Sequence, residues 1–160
     1  MRTILALSLA LAALPASAHE FKIADLVIGH PFATPTTASA KAGAGYMEIT
    51  NRGDTPDRLV AVEAAFPQVM LHASVEKDGV ARMVHLHEGV ELLPGETVRF
   101  APGGLHVMFM GLKGDPFEDG EKVPATLVFE KAGRLDVTFN VEKVAMKEMD
   151  HSMHGMASGS

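Results

Sequence analysis

Four residues have the side-chain types and the spacing expected of a metal site. They are His72, Met83, His106 and Met108, and the chain contains no cysteine. Thioether sulfur combined with imidazole nitrogen suits Cu(I), whereas hard cations prefer oxygen ligands and structural zinc usually has thiolate ligands. The sequence therefore predicts copper as the bound metal. It disfavours a blue-copper electron-transfer centre, because such a centre requires a cysteine thiolate.

Strand geometry predicts which of these donors lie together. His106 and Met108 are two residues apart in an apolar segment, so their side chains share one face of a strand and can bind one ion. Asp78-Gly79 predicts the turn of a β-hairpin that brings Met83 back beside the strand of His72. Four donors on three strands would then enclose one tetrahedral or trigonal site. The turn register decides whether His72 lies opposite Met83 or opposite His85, and both remain open.

Other histidines and methionines have simpler interpretations. Methionine is common in apolar cores, and three are predicted to be core filler: Met47, Met70 and Met110. His30 precedes a proline and is predicted to be a surface or capping residue. His85 and His87 share the strand parity of Met83, so they are either spare donors or residues of an exposed strand face.

The first 18 residues have the pattern of a cleavable secretory signal peptide. Arg2 is followed by the apolar stretch Ile4–Leu14 and by Ala16-Ser17-Ala18, a small-x-small cleavage pattern. This stretch is shorter than the roughly 20 residues that cross a bilayer. We therefore expect a periplasmic protein without a membrane anchor. The absence of cysteine excludes lipoprotein attachment at this cleavage site and a disulfide framework.

Removal of residues 1–18 would leave 142 residues, enough for one domain with its own core. Only Arg2 of the 14 basic residues is lost, so 13 basic and 20 acidic residues give a net charge of −7 with histidine neutral. This charge repels phosphate backbones and argues against a nucleic-acid partner. We expect a monomer.

Short alternating segments separated by turn residues predict an all-β domain over residues 19–144. The nine predicted strands are 22–29, 45–50, 58–62, 69–76, 80–86, 96–100, 105–112, 125–130 and 135–141. Their length and even spacing are typical of an antiparallel sandwich or a small barrel. The alternation stops near Ala145, so residues 145–160 are predicted to be a flexible tail rich in Met and His.

This tail carries a second candidate copper site. Its donors are Met146, Met149, His151, Met153, His154 and Met156. Six donors close together in sequence give a high local ligand concentration. Histidines favour Cu(II) at neutral pH and thioethers favour Cu(I), so the tail is expected to bind an additional copper in either oxidation state.

The donor residues also carry a family resemblance. The spacing of His72, Met83, His106 and Met108, together with the segment Pro102-Gly103-Gly104-Leu105-His106-Val107-Met108, resembles the periplasmic copper chaperones called PCu(A)C. Further matching stretches are Ile28-Gly29-His30-Pro31-Phe32-Ala33, Ala44-Gly45-Tyr46-Met47, Leu71-His72 and Asp78-Gly79-Val80. The resemblance covers residues 22–142. One departure is the interval between Met83 and His106, which is one residue longer than usual in the family.

The resemblance implies a cupredoxin-like, Greek-key β-sandwich that binds Cu(I) through two histidines and two methionines. It assigns the ligand roles to His72, Met83, His106 and Met108. It also implies delivery of copper to the CuA centre or another copper site of a haem-copper oxidase, so the expected partner is the copper-accepting oxidase subunit or another copper chaperone. The resemblance implies a carrier rather than an enzyme.

Three alternatives remain open. Cleavage after Ala18 would expose His19, whose amine and imidazole could chelate Cu(II) as in a copper oxygenase or a periplasmic Cu(II) carrier, with His30 the nearest further histidine. The protein could instead be a periplasmic copper buffer or storage protein. An interaction or adhesion sandwich with incidental His and Met residues would bind no copper tightly.

Overall fold

The structure, a computed structural model, describes residues 20–143, which form eleven β-strands and no helix. The strands are β1 (Glu20–Ile23), β2 (Leu26–Ala33), β3 (Ala42–Asn51), β4 (Asp57–Ala64), β5 (Gln68–Lys77), β6 (Val80–His85), β7 (Val90–Leu92), β8 (Thr97–Phe100), β9 (Leu105–Met110), β10 (Lys122–Phe129) and β11 (Arg134–Val141). Within this range there is accordingly no helix able to cross a membrane. The predicted signal peptide, His19 and the Met/His tail lie outside the described residues.

All-β architecture is confirmed, and two strand predictions are corrected. The predicted strand over residues 22–29 is two strands, β1 and β2. Ala24 has a left-handed φ of 47°, which forms a tight turn, and Ile23 pairs with Leu26 across that turn. Strand β7 was not predicted. It has three residues, which is too short for an alternating pattern to be recognised.

The strands pair in the order β6-β5-β9-β8-β3-β2-β11-β10-β4-β7, with β1 joined to β2 and a further pairing between β9 and β3. Most neighbours are antiparallel, but β11 pairs with β2 and β8 with β9 in parallel. The sheet folds over so that its two halves enclose one core, as in a β-sandwich. Strand β6 lies at one edge of this order and pairs with β5, whose other neighbour is β9.

Aromatic side chains join the two halves. Phe109 of β9 is fully buried, and its ring centroid lies 5.5 Å from that of Phe139 on β11. Gly45 of β3 makes room for these rings, since a Cβ there would lie 2.8 Å from Phe109 and 3.0 Å from Phe139. This packing holds β9 rigidly from its core side, so the opposite face of β9 is available to present other side chains.

Candidate metal centre

Three histidines lie side by side across β6, β5 and β9. His72 on β5 is opposite His85 on β6 and also opposite His106 on β9. The ring centroid of His72 lies 5.3 Å from that of His85 and 5.7 Å from that of His106, with edge-to-face geometry in both pairs. We call these three residues the histidine row.

The turn between β5 and β6 sets this alignment. Asp78 and Gly79 have φ values of 56° and 74°, the left-handed backbone of a two-residue hairpin turn, and Lys77 pairs directly with Val80. That register places His72 opposite His85 and places Met83 opposite Ser74. The structure therefore decides the alternative that the sequence left open, in favour of His85.

Met108 lies next to His106 on the same face of β9, as the parity argument predicted. The intervening Val107 and the following Phe109 are fully buried in the core, so the even-numbered residues face away from it. Met108 is half-buried and lies opposite Met70 of β5. A thioether is thus held diagonally from His72, two residues along the neighbouring strand.

Met83 occupies a more exposed position. Its register partner is Ser74, so it lies diagonally from His72 on the side nearer the turn, and 63% of its surface is accessible to solvent. Diagonal neighbours of this kind remain within reach of a long, flexible side chain. The structure therefore brings His72, His106 and Met108 together and leaves Met83 at the rim.

His106 has one ring nitrogen oriented by the backbone and one without a partner. Its Nδ1 lies 3.1 Å from the carbonyl oxygen of Gly104, which can only accept, so Nδ1 carries the proton. Nε2 is then a lone-pair nitrogen, and it is buried with no hydrogen-bond partner. Hydrogen bonding of one imidazole nitrogen to a carbonyl is the usual way in which metal-binding histidines are oriented.

The loop before β9 positions that carbonyl. Gly103 adopts a left-handed φ of 81° in the Pro102-Gly103-Gly104 turn, and the N–H of Gly104 donates to the carbonyl of Ala101. The same Gly104 carbonyl also accepts from the backbone N–H of Ser74, at 3.0 Å. This hydrogen bond connects β5 to the turn that precedes β9, beside His72 and His106.

His72 presents a second unpartnered nitrogen. Its Nδ1 is buried and has no hydrogen-bond partner among residues 20–143. Burial lowers the pKa of His72, and repulsion from His106 and His85 lowers it further. A neutral imidazole is the form that binds metal. An unsatisfied buried polar group costs about 1–3 kcal/mol, and one bound ion would satisfy the nitrogens of both His72 and His106.

The donors that meet on this face of the sheet include sulfur. Among residues 20–143, no three His, Asp or Glu side chains converge closely enough to hold one metal ion. The side chains that β5 and β9 bring together here are two imidazoles and the thioether of Met108. Such neutral, soft donors fit Cu(I) and do not fit hard cations, which prefer oxygen.

Two of the three methionines predicted to be core filler lie outside the core. Met47 is 1% exposed and belongs to the core as predicted. Met110 is half-buried on the face of β9 that carries Met108, so its assignment as core filler is wrong. The same is true of Met70, which is half-buried on the face of the histidine row. Its strand parity with His72 indicates this position. His30 is a surface residue as predicted: its side chain is 60% exposed, and its Nε2 lies 2.6 Å from Glu142.

Comparison with known proteins supports a metal-binding domain. Residues 26–141 match the LpqE-like family model. A Leifsonia xyli subsp. xyli (strain CTCB07) protein named as the lipoprotein Lxx21020 is 34% identical over 100 residues, which cover 62% of this chain and 60% of that protein. The chain thus spans about three-fifths of that relative.

Solved structures of PCuAC domains match over most of the chain. A copper-bound PCuAC domain from PmoF2 is 30% identical, with a TM-score of 0.64, and the match covers 78% of this chain and 97% of that domain. The Cu(I) form of DR1885 from Deinococcus radiodurans is 27% identical, with a TM-score of 0.60, over 81% of this chain and 85% of that protein.

Proposed function

Because this chain belongs to the LpqE-like family and is similar to PCuAC domains, we propose that it is a copper chaperone acting in the periplasm. Copper is its cargo, not a catalytic cofactor. The observation that carries the proposal is the pair of buried, unpartnered imidazole nitrogens, Nδ1 of His72 and Nε2 of His106. They lie on directly opposed residues of β5 and β9, beside the thioether of Met108.

In this proposal Cu(I) is bound by His72, His106, Met108 and Met83. The two histidines and Met108 are held by packed strands, whereas Met83 comes from the exposed rim of β6. Neutral ligands do not need to lose a proton at physiological pH, and thioethers do not form disulfides. A site of this kind can hold copper and still release it to a partner.

A matched pair of methionine variants tests the ligand assignment. Met108 and Met110 lie on the same strand with the same parity, but Met108 is opposite Met70 and Met110 is opposite Gln68. Met108→Leu should weaken Cu(I) binding at least tenfold in competition with a chromophoric chelator, because leucine retains the apolar volume but removes the sulfur. Met110→Leu should leave the affinity unchanged. Equal affinity of both variants and the wild type would overturn the assignment of Met108.

Delivery is tested by transfer kinetics. We propose that the acceptor is a copper site of a haem-copper oxidase, such as the CuA domain, or another copper chaperone. A chaperone should transfer Cu(I) to an isolated CuA domain at a rate that rises with acceptor concentration, because partner ligands displace its own. A storage protein would instead release copper at a rate independent of the acceptor. The second result would replace the chaperone role with a buffering role.

A further inference from the structure

Resting on the proposed function, we propose that His85 is an exit ligand, which receives Cu(I) from His106 and presents it to the acceptor at the edge of the sheet. His72 remains bound throughout. Copper would thus occupy two successive positions: an inner one with His106 and Met108 of β9 and with Met83 at its rim, and an outer one with His85 and Met83 of β6.

The two positions have equivalent donor sets around His72. On β9, His106 is followed two residues later by Met108, and on β6, His85 is preceded two residues earlier by Met83. Residues two apart share a strand face. Each neighbour of β5 therefore offers one imidazole directly opposite His72 and one thioether diagonal to it. Inner and outer positions supply the same chemistry to the ion.

The ring spacings fit one ion in either pair. An ion about 2 Å from one nitrogen of each of two rings, at a tetrahedral or trigonal angle, separates the ring centroids by about 5–5.5 Å. The observed separation of 5.3 Å for His72 and His85 lies in this range, and that of 5.7 Å for His72 and His106 lies just above it. Since three such side chains do not converge on one ion within residues 20–143, His72 shares the ion with one neighbour at a time.

Exposure increases from the inner to the outer position. His106 is 5% exposed and its Nε2 is buried, whereas Met83 is 63% exposed and β6 has no strand beyond it in the sheet order. His85 is half-buried, and its ring lies 3.9 Å from that of His87, between centroids. An acceptor approaching this edge reaches the ligands of the outer position without opening the core.

The step is a ligand exchange without redox chemistry. The Cu–N bond to His106 and the Cu–S bond to Met108 break as a Cu–N bond to His85 forms, and the bonds to His72 and Met83 persist. Copper stays Cu(I), because one imidazole ligand replaces another and no electron is transferred. The ion is never fully released, which avoids the slow loss of every ligand before transfer.

The test separates the rate of copper transfer from the affinity. Full-length protein loaded with one Cu(I) is mixed with excess chromophoric Cu(I) chelator, and absorbance gives the transfer rate constant; a separate competition gives the dissociation constant. His85→Ala and His85→Asn should each slow transfer at least tenfold and change the dissociation constant less than threefold. Val84→Ala is the matched control, because Val84 lies on the same edge strand with its side chain on the opposite face.

Each result decides the proposal. Wild-type transfer rates in both His85 variants would overturn it. A loss of affinity as large as that of His106→Ala would also overturn it, because His85 would then be a permanent ligand. If Val84→Ala also slows copper transfer, the effect comes from disruption of the edge strand, and the proposal is wrong. Failure of the wild type to bind Cu(I) would instead overturn the proposed function itself.

Discussion

Replacing His106 with leucine should stabilise the copper-free protein and remove most of the stabilisation that copper provides. His106 is 5% exposed, with a buried Nε2 that has no partner. Leucine has a similar volume and no polar atom. The substitution therefore removes an unsatisfied group, at the expense of the Nδ1 hydrogen bond to Gly104.

The magnitudes follow from these contacts. Removing the unpartnered nitrogen raises the free energy of unfolding by about 1–3 kcal/mol, and losing the hydrogen bond lowers it by about 1 kcal/mol. The Gly104 carbonyl keeps its bond from the N–H of Ser74, so no new unsatisfied group appears. The net gain is about 0–2 kcal/mol, or up to about 8 °C in Tm at about 4 °C per kcal/mol for a domain of this size.

Copper reverses the order of stability of the wild type and the His106→Leu variant. At free Cu(I) about 1,000 times the wild-type Kd, binding adds about 4 kcal/mol, or about 16 °C in Tm. If the substitution weakens binding about 100-fold, the same copper concentration adds only about 1.4 kcal/mol, or about 6 °C, to the variant.

Thermal unfolding followed by circular dichroism, with Cu(I) buffered by a chelator, measures both effects. Met110→Leu serves as the control, since it changes a half-buried residue on the same strand outside the proposed ligand set. Two results would refute the reasoning. One is a copper-free variant that is less stable than the wild type; the other is a copper-induced shift equal to that of the wild type.

Four further predictions concern the fold and the tail. Gly45→Ala should cost about 1–3 kcal/mol in urea unfolding, because its Cβ would lie 2.8 Å from Phe109; wild-type stability would contradict the packing described. Asp57→Ala should cost at least about 2 kcal/mol, since this carboxylate accepts three backbone N–H groups, with copper affinity unchanged. Metal removal should leave a β-sheet circular dichroism spectrum, because the domain has its own core; a disordered spectrum would oppose this. Truncation after Lys143 should lower the copper stoichiometry without altering the affinity of the domain, and an unchanged stoichiometry would rule out copper binding by the tail.

Local patterns in the sequence predict much of the architecture. Alternation of side chains places His106 and Met108 on one face of a strand, because successive residues of a strand point to opposite sides. Asp78-Gly79 predicts the hairpin. It leaves the register of that hairpin open, and the structure pairs Lys77 with Val80 and so places His72 opposite His85. The donor types predict copper, because ligand softness depends on side-chain chemistry and not on the fold.

Other features depend on contacts between residues far apart in sequence. That β9 lies beside β5, and so places His106 next to His72, results from closure of the sheet, which no local pattern specifies. The same is true of burial: only packing decides that Nε2 of His106 is left without a partner and that Met83 remains exposed. The sequence by itself determined which atoms can bind copper. The tertiary structure decided which of them meet, because strand order and solvent exclusion arise from the whole sheet at once.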